Sequence, residues 1–159
     1  MTRPWQGAEL AQAISGRLPE AVAEAQGSAV QVKPAAVLDV ARLLREGPGL
    51  EFDYLASVTG VDYIDFFEVV YHLVSTKHNH SCIIKTRVLG RDEPVMPSVV
   101  SVWQGADLQE REVYDLVGIR FEGHPNLKRV LLWEGFPGHP LRKDFIQERE
   151  KVEYPYLRG

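Results

Sequence analysis

One cysteine in 159 residues is the first constraint this sequence sets. With Cys82 alone, the chain closes no internal disulfide and builds no zinc or iron–sulfur site from several of its own thiolates. Cys82 stands in the β-like run Cys82-Ile83-Ile84, the setting of a buried, inert thiol. Long apolar runs are missing too, and nothing approaches the ~20 residues that span a bilayer. Met1-Thr2-Arg3-Pro4-Trp5 lacks the apolar stretch of a signal peptide, which predicts the cytoplasm. Neither G-x-x-x-x-G-K-[ST] nor G-x-G-x-x-G occurs, so no loop is marked as a phosphate cradle. No Ser-His-Asp or Cys-His pattern pairs a nucleophile with a base. An excess of basic residues is also lacking: the net charge of −4 argues against a general nucleic-acid binder. As a free-standing enzyme the chain is poorly equipped.

What is present fits one domain with a modest extra segment. With 45% apolar and 25% charged residues, the chain can bury a core and stay in water. Charge is unevenly spread. Residues 1–118 hold 10 basic and 16 acidic side chains, net −6, whereas 119–159 hold 8 and 6, net +2. The division predicts a body over 1–118 and an extended, partner-docking segment over 119–159.

Within the body, Leu10, Ile14 and Leu18 recur at four-residue spacing, predicting a helix over 8–18 that Pro19 ends. Residues 28–32 read as a strand. Pro34 opens a second helix with Val37, Val40, Ala41 and Leu44 on one stripe, stopped by Gly47-Pro48. Segments 55–63, 67–76 and 81–89 are rich in Val, Ile, Tyr and Phe and read as strands. Lys77-His78-Asn79-His80 forms a hairpin tip. The run 67–74 is mostly apolar on both faces, which predicts a central strand under the helices. Asp107 and Glu110 predict a capping box, and Gly118 a left-handed stop. Between them Val113, Leu116 and Val117 share one arc, with Arg111, Glu112 and Asp115 opposite as an outward ionic strip, Arg111 and Asp115 being spaced to pair. Glu110 lies beside the apolar arc, which leaves room for a role beyond capping.

Past Gly118 neither apolar period persists. Residues 130–133 could add one strand. Two triplets, Gly123-His124-Pro125 and Gly138-His139-Pro140, bracket 127–132, and Leu141-Arg142-Lys143-Asp144-Phe145 follows. Arg142 would be drawn into a partly desolvated contact if Leu141 and Phe145 buried against a partner. The 26 residues from 134 to 159 reach ~85 Å if extended, enough to embrace a neighbouring subunit. A metal-dependent enzyme using His72, His78, His80 and Asp62 or Asp65 is the rival from another class. The hairpin works against it, because His72 falls mid-strand and the other two at the tip.

The run from Glu110 to Pro125, Glu110-Arg111-Glu112-Val113-Tyr114-Asp115-Leu116-Val117-Gly118-Ile119-Arg120-Phe121-Glu122-Gly123-His124-Pro125, resembles the signature of the C subunit of NADH–quinone oxidoreductase, respiratory complex I. Gly138-His139-Pro140-Leu141-Arg142-Lys143-Asp144-Phe145, Val69-Val70-Tyr71-His72-Leu73 and Lys77-His78-Asn79-His80 are similar to the family as well, whose plastid-type relative is the J subunit. The resemblance implies an α+β, two-layer fold, helices on one face of a mixed sheet, and an extended C-terminal tail. It implies a scaffolding subunit of a proton-translocating complex that passes electrons from NADH to quinone. No catalytic residue is implied, nor any cofactor held by this chain; iron–sulfur clusters, quinone and NADH belong to the complex. The D and B subunits of complex I are the implied partners, on the cytoplasmic side of the inner membrane. Equivalent subunits of membrane-bound hydrogenases and F420H2 dehydrogenase share the motif. The interface residues expected are Glu110, Arg111, Glu112, Asp115, His124, Arg129, His139, Arg142, Lys143 and Asp144.

Overall fold

Alternating apolar residues over the middle of the chain become the centre of one sheet. In the computed structural model, which describes residues 1–146, a two-residue strand β1 (Arg3–Pro4) leads into helix α1 (Gly7–Ser15) and the hairpin β2 (Val22–Gln26) and β3 (Ala29–Val32). A 3-10 turn over Pro34–Ala36 starts α2 (Val37–Glu46), and the long strands β4 (Tyr54–Asp62), β5 (Phe67–Ser75) and β6 (His80–Val88) follow. A short strand β7 (Val95–Pro97), helix α3 (Ala106–Val117) and β8 (Arg120–Glu122) complete the regular structure. Residues 147–159, and with them the far part of the segment predicted to embrace a neighbouring subunit, lie outside the described residues.

The sheet is mixed. β4, β5 and β6 form an antiparallel meander, β3 and β1 both join β6 in parallel, and β2 closes antiparallel on β3. The order is β2-β3-β6-β5-β4, with β1 beside β6. β5 therefore lies between two neighbours, as its two apolar faces demand. β7 and β8 pair in parallel as a separate ribbon. Along each long strand alternate side chains share a face. Val69, Tyr71 and Leu73 of β5, with Cys82 and Ile84 of β6, are buried together with Leu10 and Ile14 of α1 and Val37, Val40 and Leu44 of α2. Each such aliphatic or aromatic side chain contributes ~1.5–3 kcal/mol when fully buried. The Cys82 thiol sits in this layer, and burial pushes its pKa well up, which leaves it unreactive. The fold is α+β: three helices packed on a mixed six-stranded sheet.

Some boundaries differ from those the sequence predicts. α1 ends at Ser15, because the amides of Arg17 and Leu18 both turn back to the Ile14 carbonyl, so Leu18 packs from a turn. β2 carries no apolar alternation and lies exposed at the rim, so no sequence period marks it. At the other rim, β4 is covered by α3. The Val58 N–H donates to Gln109 Oε1 at 2.7 Å. Gly60 lets the helix close in, since a Cβ there would lie 2.6 Å from Val113 Cγ1. Among the described residues no helix is long and apolar enough to cross a membrane.

Candidate subunit interface

α3 is the post to which the segment after Glu122 is tied. Its start differs from the predicted capping box: Gly105 occupies the N-cap and no side chain caps the helix. The chain enters through consecutive tight turns, in which the amides of Ala106 and Asp107 bond to the carbonyls of Trp103 and Gln104. Those carbonyls do the work of a cap and free both carboxylates. Glu110 turns inward, fully buried, and accepts the Ser98 hydroxyl at 2.6 Å and the Val99 N–H at 2.8 Å. Burial raises its pKa to about 7 against the pull of those two donors, with the Asp107 charge adding to the rise. Asp107 instead faces His124, whose enclosed ring meets the Asp107 carbonyl at 3.0 Å through Nε2. His124 Nδ1 accepts the Asn126 N–H, so Nε2 carries the ring proton.

Asp115 organises the next stretch. It is fully buried, where an outward position was expected. Its Oδ1 takes Arg129 at 2.8 Å, and its Oδ2 takes the N–H groups of Val130, Leu131 and Leu132 at 3.2, 2.8 and 2.9 Å. Three successive amides aimed at one oxygen make a nest, which excludes the strand predicted over 130–133. Burial works to raise the Asp115 pKa, but the Leu132 amide, Arg129 and the other two amides outweigh it and hold the carboxyl below its usual range. Arg129 also donates to the carbonyls of Phe136 and Gly138. Arg111 does not pair with Asp115; it bonds to the carbonyls of Lys128 and Arg129.

The helix end is closed by the second triplet region. Gly118 is left-handed at φ 85°, and a Cβ there would strike the His139 ring and the Arg142 guanidinium within 2.6 Å. His139 Nδ1 donates to the Asp115 carbonyl at 2.9 Å, and burial, followed by the charges of Arg142 and Arg129, lowers its pKa. Arg142 donates to the carbonyls of Val117 (2.6 Å), Gly118 (3.4 Å) and Arg91 (2.8 Å). A second clasp forms at Asp62. Arg91 grips both its oxygens, at 2.8 and 2.7 Å, and the Lys143 amide adds 2.9 Å. Led by Arg91, these donors hold the Asp62 carboxyl well below the carboxylate range. Arg91 reaches on to Asp144 at 3.2 Å.

The expected interface set therefore divides. Glu110, Asp115 and the His124 ring lie inside the protomer and are corrected as surface contacts: desolvated polar groups must be satisfied, and this chain supplies their partners. Arg111, Arg129, His139 and Arg142 are engaged largely on carbonyls of this chain. The partial desolvation expected of Arg142 is thus supplied by this chain's own carbonyls. Glu112, Lys143 and Asp144 remain exposed. Sequence reasoning missed Arg91, which no local pattern marks, and weighed Asp62 only as a metal ligand. Among these charges the framework also presents large apolar groups outward: Leu131 is 61% exposed and Trp133 65%, with Leu141 beyond them.

The histidines do not converge. His72 pairs opposite Ile83 in mid-sheet, His80 is buried against the Leu50 carbonyl, and His78 stacks on His80 beside Glu51. Among the described residues no group of three or more His, Cys, Asp or Glu side chains is placed to hold a metal ion.

Comparison with known proteins agrees with this architecture. Residues 30–151 match the family described as respiratory-chain NADH dehydrogenase, 30 Kd subunit. The C 2 subunit of the NADH-quinone oxidoreductase of Rhizobium meliloti (strain 1021) is 48% identical over 120 residues, covering 74% of this chain and 65% of its own length. The C subunit of the same enzyme from Roseiflexus sp. (strain RS-1) is 41% identical over 158 residues, 94% of this chain and 89% of its own. A chain in the structure of the membrane-bound sulfane sulfur reductase (MBS), an archaeal respiratory membrane complex, superposes with a TM-score of 0.70 at 27% identity, over 89% of this chain and 86% of that one. With a family match running from β3 through α3 and both clasps, the chain belongs to the respiratory-chain NADH dehydrogenase 30 Kd subunit family.

Proposed function

We propose that the chain is a scaffolding subunit in the peripheral arm of a proton-translocating NADH–quinone oxidoreductase, carrying no cluster, quinone site or catalytic residue of its own. The observation that carries this reading is the tied segment after Glu122. Its half-buried Arg129 and Arg142, with the buried Asp115 of α3, are consumed in holding the backbone, while Leu131, Trp133 and Leu141 are left facing water. Exposed large apolar groups on a rigid loop are what an obligate contact between subunits requires. The partners in this reading are the D and B subunits of complex I, on the cytoplasmic side of the inner membrane, and the complex supplies the iron–sulfur clusters, quinone and NADH. Such a contact exceeds ~2,000 Å². The likeness to a chain of the sulfane sulfur reductase complex favours a second reading, the same scaffold in a membrane-bound hydrogenase or F420H2 dehydrogenase complex with another electron donor.

Affinity purification of the tagged chain from detergent-solubilised membranes tests both. Co-purifying cluster-bearing and quinone-site subunits would support the scaffold, and their identity would name the donor. A chain recovered alone from the soluble fraction would overturn it.

A further inference from the structure

The loop joining β4 to β5 holds the one β-branched residue with positive φ among the described residues. Ile64 has φ 72°, and the Asp65 N–H bonds across it to the Tyr63 carbonyl at 2.9 Å. An i to i+2 bond around a positive φ is the rare, strained form of the γ-turn. Asn79, also at positive φ, is of a type that tolerates the region; a β-branched residue is not. The turn is braced on both sides. The Ile64 N–H donates to Asp62 Oδ1 at 2.7 Å, and its carbonyl accepts Arg91 at 2.8 Å. All this holds a side chain that buries little within the protomer, since Ile64 is 59% exposed. Glycine or asparagine would fill the position without strain. The chain instead pushes an aliphatic group into water.

Its neighbours are of the same kind. Tyr63 is exposed beside it, and Leu89, two residues before Arg91, is 76% exposed. The carboxylate that fixes this tip also fixes the C-terminal segment, because Asp62 accepts the Lys143 amide and Arg91 pairs with Asp144. Tip, Arg91 loop and segment form one braced unit.

We propose that Ile64, next to Tyr63 and tied by Arg91 to the loop that follows Leu89, is a docking knob that seats in an apolar recess of a neighbouring protein subunit, the same one that receives the C-terminal segment. This rests on the scaffold reading. Continuity selects the occupant: a subunit lying over residues 141–146 meets the tip through the shared Asp62–Arg91 clasp. Because the backbone bonds fix Ile64 before contact, little freedom is lost on docking.

The test is Ile64→Gly in the tagged full-length chain, expressed against an untagged wild-type copy. Two quantities are read: the melting temperature of the purified chain, and its share of the assembled complex. The expected result is a melting temperature unchanged or higher, since glycine adopts positive φ without strain. The share of complex should fall roughly tenfold, the loss expected for withdrawing one buried aliphatic side chain from an interface. Ile64→Asn, which also tolerates the turn, should behave alike. Incorporation equal to wild type overturns the proposal. So does a variant that melts well below wild type, which would assign Ile64 to the fold. A purified wild-type chain that sediments as a dimer, and as a monomer after Ile64→Gly, would make the occupant a second copy and overturn the proposal too. If the tagged wild-type chain recovers no partner, the scaffold reading fails, which is a distinguishable result.

Discussion

In the body, Phe52, Phe67 and Tyr71 are wholly enclosed, and the helices stay on the sheet because apolar area leaves water. Beyond Glu122 the enclosed contacts are of another kind, arginine, histidine and carboxylate groups aimed at backbone amides and carbonyls. Apolar burial is non-directional and spread over many contacts, so it fixes which layers meet without needing each bond. A framework of side chain to backbone bonds is directional, and each group in it is irreplaceable by its neighbours. The second arrangement also achieves what the first cannot. It orders a loop without burying that loop's own apolar residues, which stay available to another surface.

Three substitutions would break or sharpen this contrast. Phe52→Ala should have the largest effect. Phe52 packs against Trp5 and His80, and its loss is expected to lower global stability by ~3–5 kcal/mol, read by denaturant unfolding of the whole chain. A shift confined to the C-terminal segment would contradict the division. Asp115→Ala should act the other way round. It strands Arg129 and three amides, a local cost of about 3 kcal/mol. Hydrogen exchange should then show Val130, Leu131 and Leu132 losing protection while the β5 amides keep theirs.

The smallest effect concerns Glu110, a polar group placed inside the apolar body. Its pKa in the fold, about 7, lies above the ordinary glutamate value of 4.5. The fold thus binds this proton more tightly than the unfolded chain does. Its contribution is complete below about pH 4.5 and is lost as pH rises through 7. Between pH 5 and 8 the wild type is expected to lose on the order of 2 kcal/mol. Glu110→Gln should flatten that slope, measured by chemical denaturation across the range. An unchanged slope would assign the pH dependence elsewhere.

The parts legible in the sequence were those whose cause is local. Alternation over β4, β5 and β6, the stripe of α2 and the left-handed Gly118 all follow from residues within a few positions of one another. The parts that stayed hidden depend on distant partners. Nothing near Asp115 in the chain tells that its oxygen will collect three amides some fifteen residues away, and the ionic strip read on α3 assumed that charge faces water. Glu110 looked like a cap because Asp-x-x-Glu is a capping pattern. The carbonyls of Trp103 and Gln104 made that cap unnecessary. The sequence marks residues 119–159 as a docking segment, and the first surface that its two triplets meet is the chain's own helix α3.

The side chain of Gln109 has a consequence for the protein before it finds its partners. A sheet with two open rims invites another chain to add a strand and to grow into aggregates. At β4 that invitation is withdrawn, because Gln109 already occupies the Val58 amide and α3 lies along the strand. The remaining rim, β2, is five residues long and its register with β3 is broken between Val22 and Glu24. A newly synthesised copy waiting for assembly thus offers little template for edge-to-edge stacking, and Ile64, Leu89, Leu131, Trp133 and Leu141 are displayed on loops, where strand pairing has no ladder to extend.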